Sequence, residues 1–233
     1  MYKNEFIIGV AISSSLMILI LFVVLFFFFK SKSKNNVLRK KGAEAERLVN
    51  QKIYLWSNIH DYLYIPSAMF KYDKNKIFEV DGILITDRAL IVIEVKSING
   101  NKIYGKGNEK EWFKVVGNNT HPIKSPILQN DRHIDHIIKM TNMKIPMISL
   151  IIFDGNSVGE LDIERIPDHC LVIKSEDIEA TLDTIGSVLI PRVTKNEMIK
   201  IHENLMSHKT SKKEDKKLLE TFAKEFNEKT FTI

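Results

Sequence analysis

Cysteine is nearly absent: Cys170 is the single one among 233 residues. An internal disulfide is therefore excluded, and so is a zinc site built on several thiolates. Cys170 sits in the apolar run HCLVI, which reads as a small buried hydrophobe in a reducing compartment. Phosphate-cradling glycine loops are missing as well. Gly100, Gly105 and Gly107 lack the strand–turn–helix context of a dinucleotide fingerprint. No P-loop, no Ser-His-Asp arrangement and no internal repeat is present. One stretch lacks charge altogether, the 24 residues from Phe6 to Phe29.

That run is mostly apolar, and as a helix it extends roughly 36 Å, enough to cross a bilayer with some tilt. A cleaved signal peptide is the competing reading. Its apolar region is about 7–15 residues long and ends at small residues. Here the run is longer and ends in four phenylalanines followed by Lys30. The spacing predicts an uncleaved single-pass anchor over 1–29. Lys30, Lys32, Lys34, Arg39, Lys40 and Lys41 follow it without an acidic residue, whereas Lys3 and the terminal amine face Glu5 before it. This bias puts the N-terminus outside and the bulk of the chain in the cytoplasm. The net charge is +5 and the pI about 9.1. Much of the excess lies in that basic flank, where it serves topology and attraction to anionic lipid. The charge alone is weak support for nucleic acid binding.

The densest chemical signal is FEVDGILITDRALIVIEVKS, residues 78–97. Two β-rich runs, Ile77–Thr86 and Ala89–Ser97, flank the polar break Asp87-Arg88, which reads as an antiparallel hairpin. With Asp87-Arg88 as the loop, Thr86 pairs with Ala89 and Asp81 falls opposite Glu94. Lys96 shares the face of Glu94. Opposed carboxylates repel each other, and a divalent cation such as Mg²⁺ or Mn²⁺ relieves that repulsion. The loop lacks the glycine that two-residue turns favour. The alternative is an edge hairpin with solvated charges.

A helix is expected from about Val37 to Trp56. On a 100° wheel Gly42, Ala45, Val49, Ile53 and Trp56 share one face, with Glu46 at its edge and Glu44 on the far side. A carboxylate beside a buried stripe needs a partner, and an ordinary boundary salt bridge satisfies that need too. Asp61–Met69 reads as a short strand broken at Pro66, and residues 71–76 as a polar turn. Asn99-Gly100-Asn101 marks another turn, with Ile103-Tyr104 and Trp112–Val116 as strands. Ser125-Pro126 reads as an N-cap with proline at N1, opening a helix to about Met140. Gln129, His133 and His136 share a face of it. With no third strong ligand nearby, the histidines read as solvated or phosphate-facing rather than zinc-binding. Pro146–Phe153 and Cys170–Lys174 read as buried strands, with a helix from Ser175 to about Ile185.

Four blocks together carry a family resemblance. They are KGAEAERLV (41–49), Asp81 with Glu94-Val95-Lys96, IYGKGNEKEW (103–112) and HPIKSPILQNDRHI (121–134). In this order they resemble the nuclease-related domain (NERD) family, whose core resembles PD-(D/E)XK nucleases. Ala45 stands where a second glycine is usual, His121 where an asparagine is, and Gly82 where a bulkier residue follows the aspartate; Ser125-Pro126 looks like an insertion. The resemblance implies a mixed central β-sheet flanked by helices, restriction-endonuclease-like, and nucleic acid as partner, DNA ahead of RNA. It carries Glu46, Asp81, Glu94, Lys96 and Gln129 over as site positions. Asp81, Glu94 and the Val95 carbonyl become the ligands of Mg²⁺ or Mn²⁺.

The expected organisation is an anchor (1–29), a basic linker (30–36), an α/β nuclease-like domain (37–190) and a charged helical extension (191–233). The expected function is metal-dependent phosphodiester hydrolysis at the membrane. The alternatives are a non-catalytic nucleic-acid-binding or membrane-tethered adaptor on the same scaffold, and a structural interaction protein.

Overall fold

The computed structural model describes residues 21–26, 30, 40–73, 76–154 and 158–216. Two compact units divide the chain, Met1–Glu44 and Ala45–Ile233. In the first, residues 21–26 are helical. The anchor expected over Phe6–Phe29 and the linker expected over 30–36 lie largely outside the described residues. Among the described residues no helix is long and apolar enough to cross a membrane.

A helix over 40–59 (α1) leads into the second unit. Its spacing of Ala45, Val49, Ile53 and Trp56 buries all four. Strands β1 (Leu63–Asp73), β2 (Lys76–Ile85) and β3 (Leu90–Lys96) follow as an antiparallel meander. A second group contains β4 (Gly100–Lys106), β5 (Glu111–Val116) and β6 (Asn119–Lys124). Then come α2 (Pro126–Thr141), β7 (Met147–Phe153), β8 (Val158–Glu164), β9 (Cys170–Lys174), α3 (Ile178–Val188), α4 (Lys195–Ser207) and β10 (Lys209–Thr210).

The sequence led to one central sheet; the fold has two, both mixed. The larger has the order β10-β1-β2-β3-β7-β9, with β3, β7 and β9 parallel. The smaller has the order β6-β5-β4-β8, with β4 and β8 parallel. One cluster under α2 and α4 joins Phe70, Val80, Val92, Ile134, Ile137 and Leu205. The opposite face of the large sheet packs on α1 and α3 through Val49, Ile53, Ile91, Ile93 and Leu182. The small sheet meets the large one through Ile103, Trp112, Ile127, Ile151 and Phe153. The domain is therefore α/β, with two sheets and helices on both faces of the larger one.

Several local expectations change. β1 runs unbroken through Pro66, which pairs with Gly82. β10 reaches only Met69 and Phe70, so at Pro66 β1 is an edge, where a missing N–H costs little. Most of the polar turn expected over 71–76 is strand, since β1 runs through Asp73, which pairs with Lys76; residues 74–75 lie outside the described residues. Gly100 opens β4 rather than closing a turn. β6, in Asn119–Lys124, is a strand of mostly exposed polar residues with no apolar alternation to reveal it. The charged extension expected from 191 contributes α4, which starts with a Thr194–Glu197 capping box and buries Met198 and Leu205. It also contributes β10, paired with β1. Residues 217–233 lie outside the described residues.

Candidate functional site

The β2–β3 register is the expected one: Ile85 pairs with Leu90, Leu84 with Ile91, Ile83 with Val92 and Gly82 with Ile93. Neither Asp87 nor Arg88 adopts positive φ. The turn is held instead by Thr86, whose Oγ1 accepts from the backbone N–H of Arg88 (3.1 Å) and Ala89 (3.0 Å) and donates to the Ala89 carbonyl (2.9 Å). The Asp87 carboxylate pairs with Arg88 and accepts from the Tyr62 hydroxyl. This is how the hairpin manages without glycine.

The ladder ends at Gly82 and Ile93. β3 continues beyond it, paired only with β7, out to Lys96 opposite Phe153. On its other side β2 pairs with β1 through Pro66–Gly82 and Ala68–Val80, skipping Ser67 and Asp81. The inward alternation of β2 also slips there, since Phe78, Val80, Ile83 and Ile85 all face one cluster. The strands therefore fork at Asp81 and Glu94. Asp81 Oδ2 accepts the Val95 N–H at 2.8 Å, replacing the lost ladder bond. In an extended strand the N–H and C=O of one residue point to the same side, so the Val95 carbonyl is on the Asp81 side.

Glu94 is buried, 2 % exposed. Its Oε1 lies 2.5 Å from Lys96 Nζ, and its Oε2 lies 3.6 Å from His133 Nε2. Lys96 Nζ also donates to Gln129 Oε1 at 2.9 Å. α2 thus presents Gln129 and His133, one turn apart, to the two charges of β3. Its start is fixed by Ser125, whose Oγ accepts from the Leu128 N–H, with Pro126 in the first turn. Asn130 ties α2 to the sheet by donating to the Val92 carbonyl (2.8 Å) and to Ser149 Oγ (3.0 Å).

Glu46, on the half-buried flank of α1, acts electrostatically on both Asp81 and Glu94. Burial and then the Glu94 charge push the Asp81 carboxyl up to about 8, against the lowering effect of the Val95 N–H. Glu94 is raised by burial, with Lys96 pulling it back down. Burial also takes His133 down to about 4, helped by His136, Lys96 and Arg132. The fold thus gathers more carboxyl groups than Lys96 balances, and in metal-free protein Asp81 answers by keeping its proton up to about pH 8. All five residues singled out by sequence, Glu46, Asp81, Glu94, Lys96 and Gln129, lie in this one neighbourhood. Even so, among the described residues no group of three or more His, Cys, Asp or Glu side chains is arranged to hold a metal ion.

Some neighbours escaped the sequence. Tyr64 covers Gly82 and donates to Asn50 Oδ1 at 2.5 Å, tying β1 to α1 beside Glu46. Glu79, two residues before Asp81, is raised by burial and by Glu46. Of the two readings expected for His133, solvated or phosphate-facing, the first is not met: its side chain is 15 % exposed and its ring stacks on Phe78. Its i+4 spacing from Gln129 was a visible signal, but nothing in the sequence revealed that this face is covered. The glycine-rich block also has a physical basis. A Cβ on Gly105 would lie 2.5 Å from the buried Trp112 ring, and one on Gly107 2.4 Å from the Arg165 carbonyl.

The model of the nuclease-related domain (NERD) family matches residues 41–154. No curated protein and no solved structure gives a match. The matched stretch runs from α1 to the end of β7 and includes every residue of the fork. Over residues 41–154 the chain is similar to the nuclease-related domain family.

Proposed function

We propose that the chain is a membrane-anchored, cytoplasmic nuclease-like protein that hydrolyses phosphodiester bonds of nucleic acid, DNA ahead of RNA. The large sheet is its restriction-endonuclease-like core, and Phe6–Phe29 is its anchor. The observation carrying this reading is the fork itself, where buried Glu94, half-buried Asp81 and one lysine meet at a point that packing alone would fill with apolar residues. The donor set fits a hard divalent cation. Mg²⁺ is commonly held by one or two carboxylates and completes its shell with water and substrate phosphate, so a closed cage of three side chains is not required. Asp81, Glu94 and the Val95 carbonyl would hold it. Bound there, Mg²⁺ or Mn²⁺ supplies Lewis acidity and a water of lowered pKa. Lys96 offers positive charge to the phosphate as negative charge develops. Gln129 holds Lys96 in place, and Glu46 orients water or phosphate at the α1 side.

A second reading is a nucleic-acid-binding adaptor on the same scaffold. It is favoured by the close Glu94–Lys96 pair, which already occupies one carboxylate oxygen. Incubating the full chain, purified in detergent, with single- and double-stranded DNA and RNA separates the two. Cleavage that requires Mg²⁺ or Mn²⁺ and is lost in Asp81→Asn is the expected result. Binding without cleavage selects the adaptor. In intact cells a C-terminal tag is expected to resist external protease; digestion of the tag would reverse the topology.

A further inference from the structure

His133 is a polar residue whose burial α2 packing does not explain. Its ring lies against Phe78, 6.1 Å between centroids and 21° between planes. His136, one turn on, lies 5.0 Å from the same Phe78 ring and 5.0 Å from Tyr72. A phenylalanine in place of His133 would serve such a stack without burying polar atoms. The imidazole instead buries Nδ1 with no hydrogen-bond partner, which costs free energy. Its remaining nitrogen has one acidic neighbour, Glu94 Oε2 at 3.6 Å. That is too long for a direct hydrogen bond. It is also longer than the roughly 3 Å that separates adjacent oxygens around an octahedral Mg²⁺ at its usual bond length. The ring therefore borders Oε2 without consuming it.

The other oxygens at the fork divide the same way. Glu94 Oε1 is taken by Lys96, and Asp81 Oδ2 by the Val95 N–H. Glu94 Oε2 is the oxygen of that carboxylate not taken by Lys96, and the His133 ring edge lies 3.6 Å from it. Gln129, one turn earlier on α2, fixes Lys96. One helix face thereby restrains both partners of the ion pair.

We propose that His133 is a positioning residue that keeps Glu94 Oε2 turned away from Lys96, through the electrostatic attraction of its polar ring edge at 3.6 Å rather than through a hydrogen bond or its volume. This rests on the reading of the fork as a divalent-cation site. It assigns the site a support that neither the Asp81/Glu94/Lys96 pattern nor that reading includes. Without the ring's N–H edge, Glu94 can rotate so that both oxygens turn to Lys96, and the cation loses a ligand.

The test is Mn²⁺ binding to the full chain in detergent, followed by the electron paramagnetic resonance of free Mn²⁺, with the melting temperature measured in chelator. His133→Phe keeps the stack and removes the nitrogens; His133→Gln restores an N–H near the Nε2 position. The expected result is wild-type binding weakened tenfold or more in His133→Phe, recovered to within about threefold in His133→Gln, with His133→Phe melting no lower than the wild type in chelator. Equal Mn²⁺ affinity in His133→Phe overturns the positioning role and leaves the cation site standing. Equally weak binding in both variants also overturns it, since packing alone then matters. If the wild type takes up no Mn²⁺, the cation reading itself fails and this inference falls with it.

Discussion

The two ends of the β2–β3 hairpin share one register and differ in almost everything else. At the closed end the Thr86 hydroxyl answers two backbone N–H groups, and Arg88 answers Asp87. Between the ends, Gly82–Ile85 and Leu90–Ile93 are fully buried. At the open end, four residues further along β2, the ladder is lost and Asp81 and Glu94 share a buried corner with Lys96. The closed end satisfies its polar groups and stores nothing. The open end keeps a charge imbalance that burial magnifies. Two stretches of one hairpin thus do opposite jobs, one defining the register and the other spending the stability so gained on a reactive corner.

The largest expected contrast is in turnover. Lys96 lies where its charge reaches a phosphate held at the fork. Lys96→Ala should slow metal-dependent cleavage on the order of 10²–10³-fold. In chelator its melting temperature should fall, because buried Glu94 loses the ammonium paired with it, and saturating Mg²⁺ should restore most of that loss. Single-turnover rates at saturating Mg²⁺ check this. Equal rates in wild type and variant would remove the chemistry from this corner.

Much of this contrast was legible in the sequence. The Asp87-Arg88 break fixed the hairpin pairing, and opposed residue numbers brought Asp81 near Glu94, although the ladder stops one pair short of them. Ser125-Pro126 marked the start of α2, and the wheel of α1 separated Glu46 from Glu44. The small sheet was not legible as a sheet. Its strands β6 and β8 carry mostly exposed polar residues, and their pairing with β5 and β4 is set by tertiary contact rather than local pattern. The environment of His133 was hidden for a related reason. Periodicity tells which residues share a helix face, not which face another element will cover.

The two ends should also respond differently to pH in metal-free protein. The Asp81 carboxyl is raised from its ordinary 3.8 to about 8. Between these values the folded chain holds a proton that the unfolded chain has released. Its folding penalty is therefore absent at about pH 4 and grows as pH rises toward 8, so stability falls across that window. Glu94 is shifted in the same direction. Asp81→Asn should flatten the fall and stabilise the metal-free chain most at the alkaline end. Thr86→Val, at the closed end, should cost about 1–3 kcal/mol by orphaning the buried turn N–H groups, and by the same amount at every pH. Urea melts in chelator at pH 5 and pH 8 read both effects. A pH-independent gain from Asp81→Asn would show that no buried carboxylate is being relieved.

The smallest effect lies at the junction of the two ends, at Gly82. The structure supplies a reason for glycine after Asp81. A Cβ on Gly82 would fall 2.4 Å from the Tyr64 hydroxyl oxygen and 3.1 Å from the ring carbon that bears it. Tyr64 is held by its 2.5 Å bond to Asn50 on α1, so the ring cannot withdraw without breaking that tie. Gly82→Ala should therefore cost about 1 kcal/mol, the worth of one hydrogen bond of this kind. Tyr64→Phe removes the nearest atom and leaves the ring carbon at a distance that small shifts accommodate. In the Tyr64→Phe background, Gly82→Ala should then cost clearly less, giving a coupling of about 0.5–1 kcal/mol in a double-mutant cycle. Strict additivity would mean that the methyl group is accommodated by movement of β2 instead. In that case Asp81, the next residue, should shift with it, and Gly82→Ala alone should weaken Mn²⁺ binding.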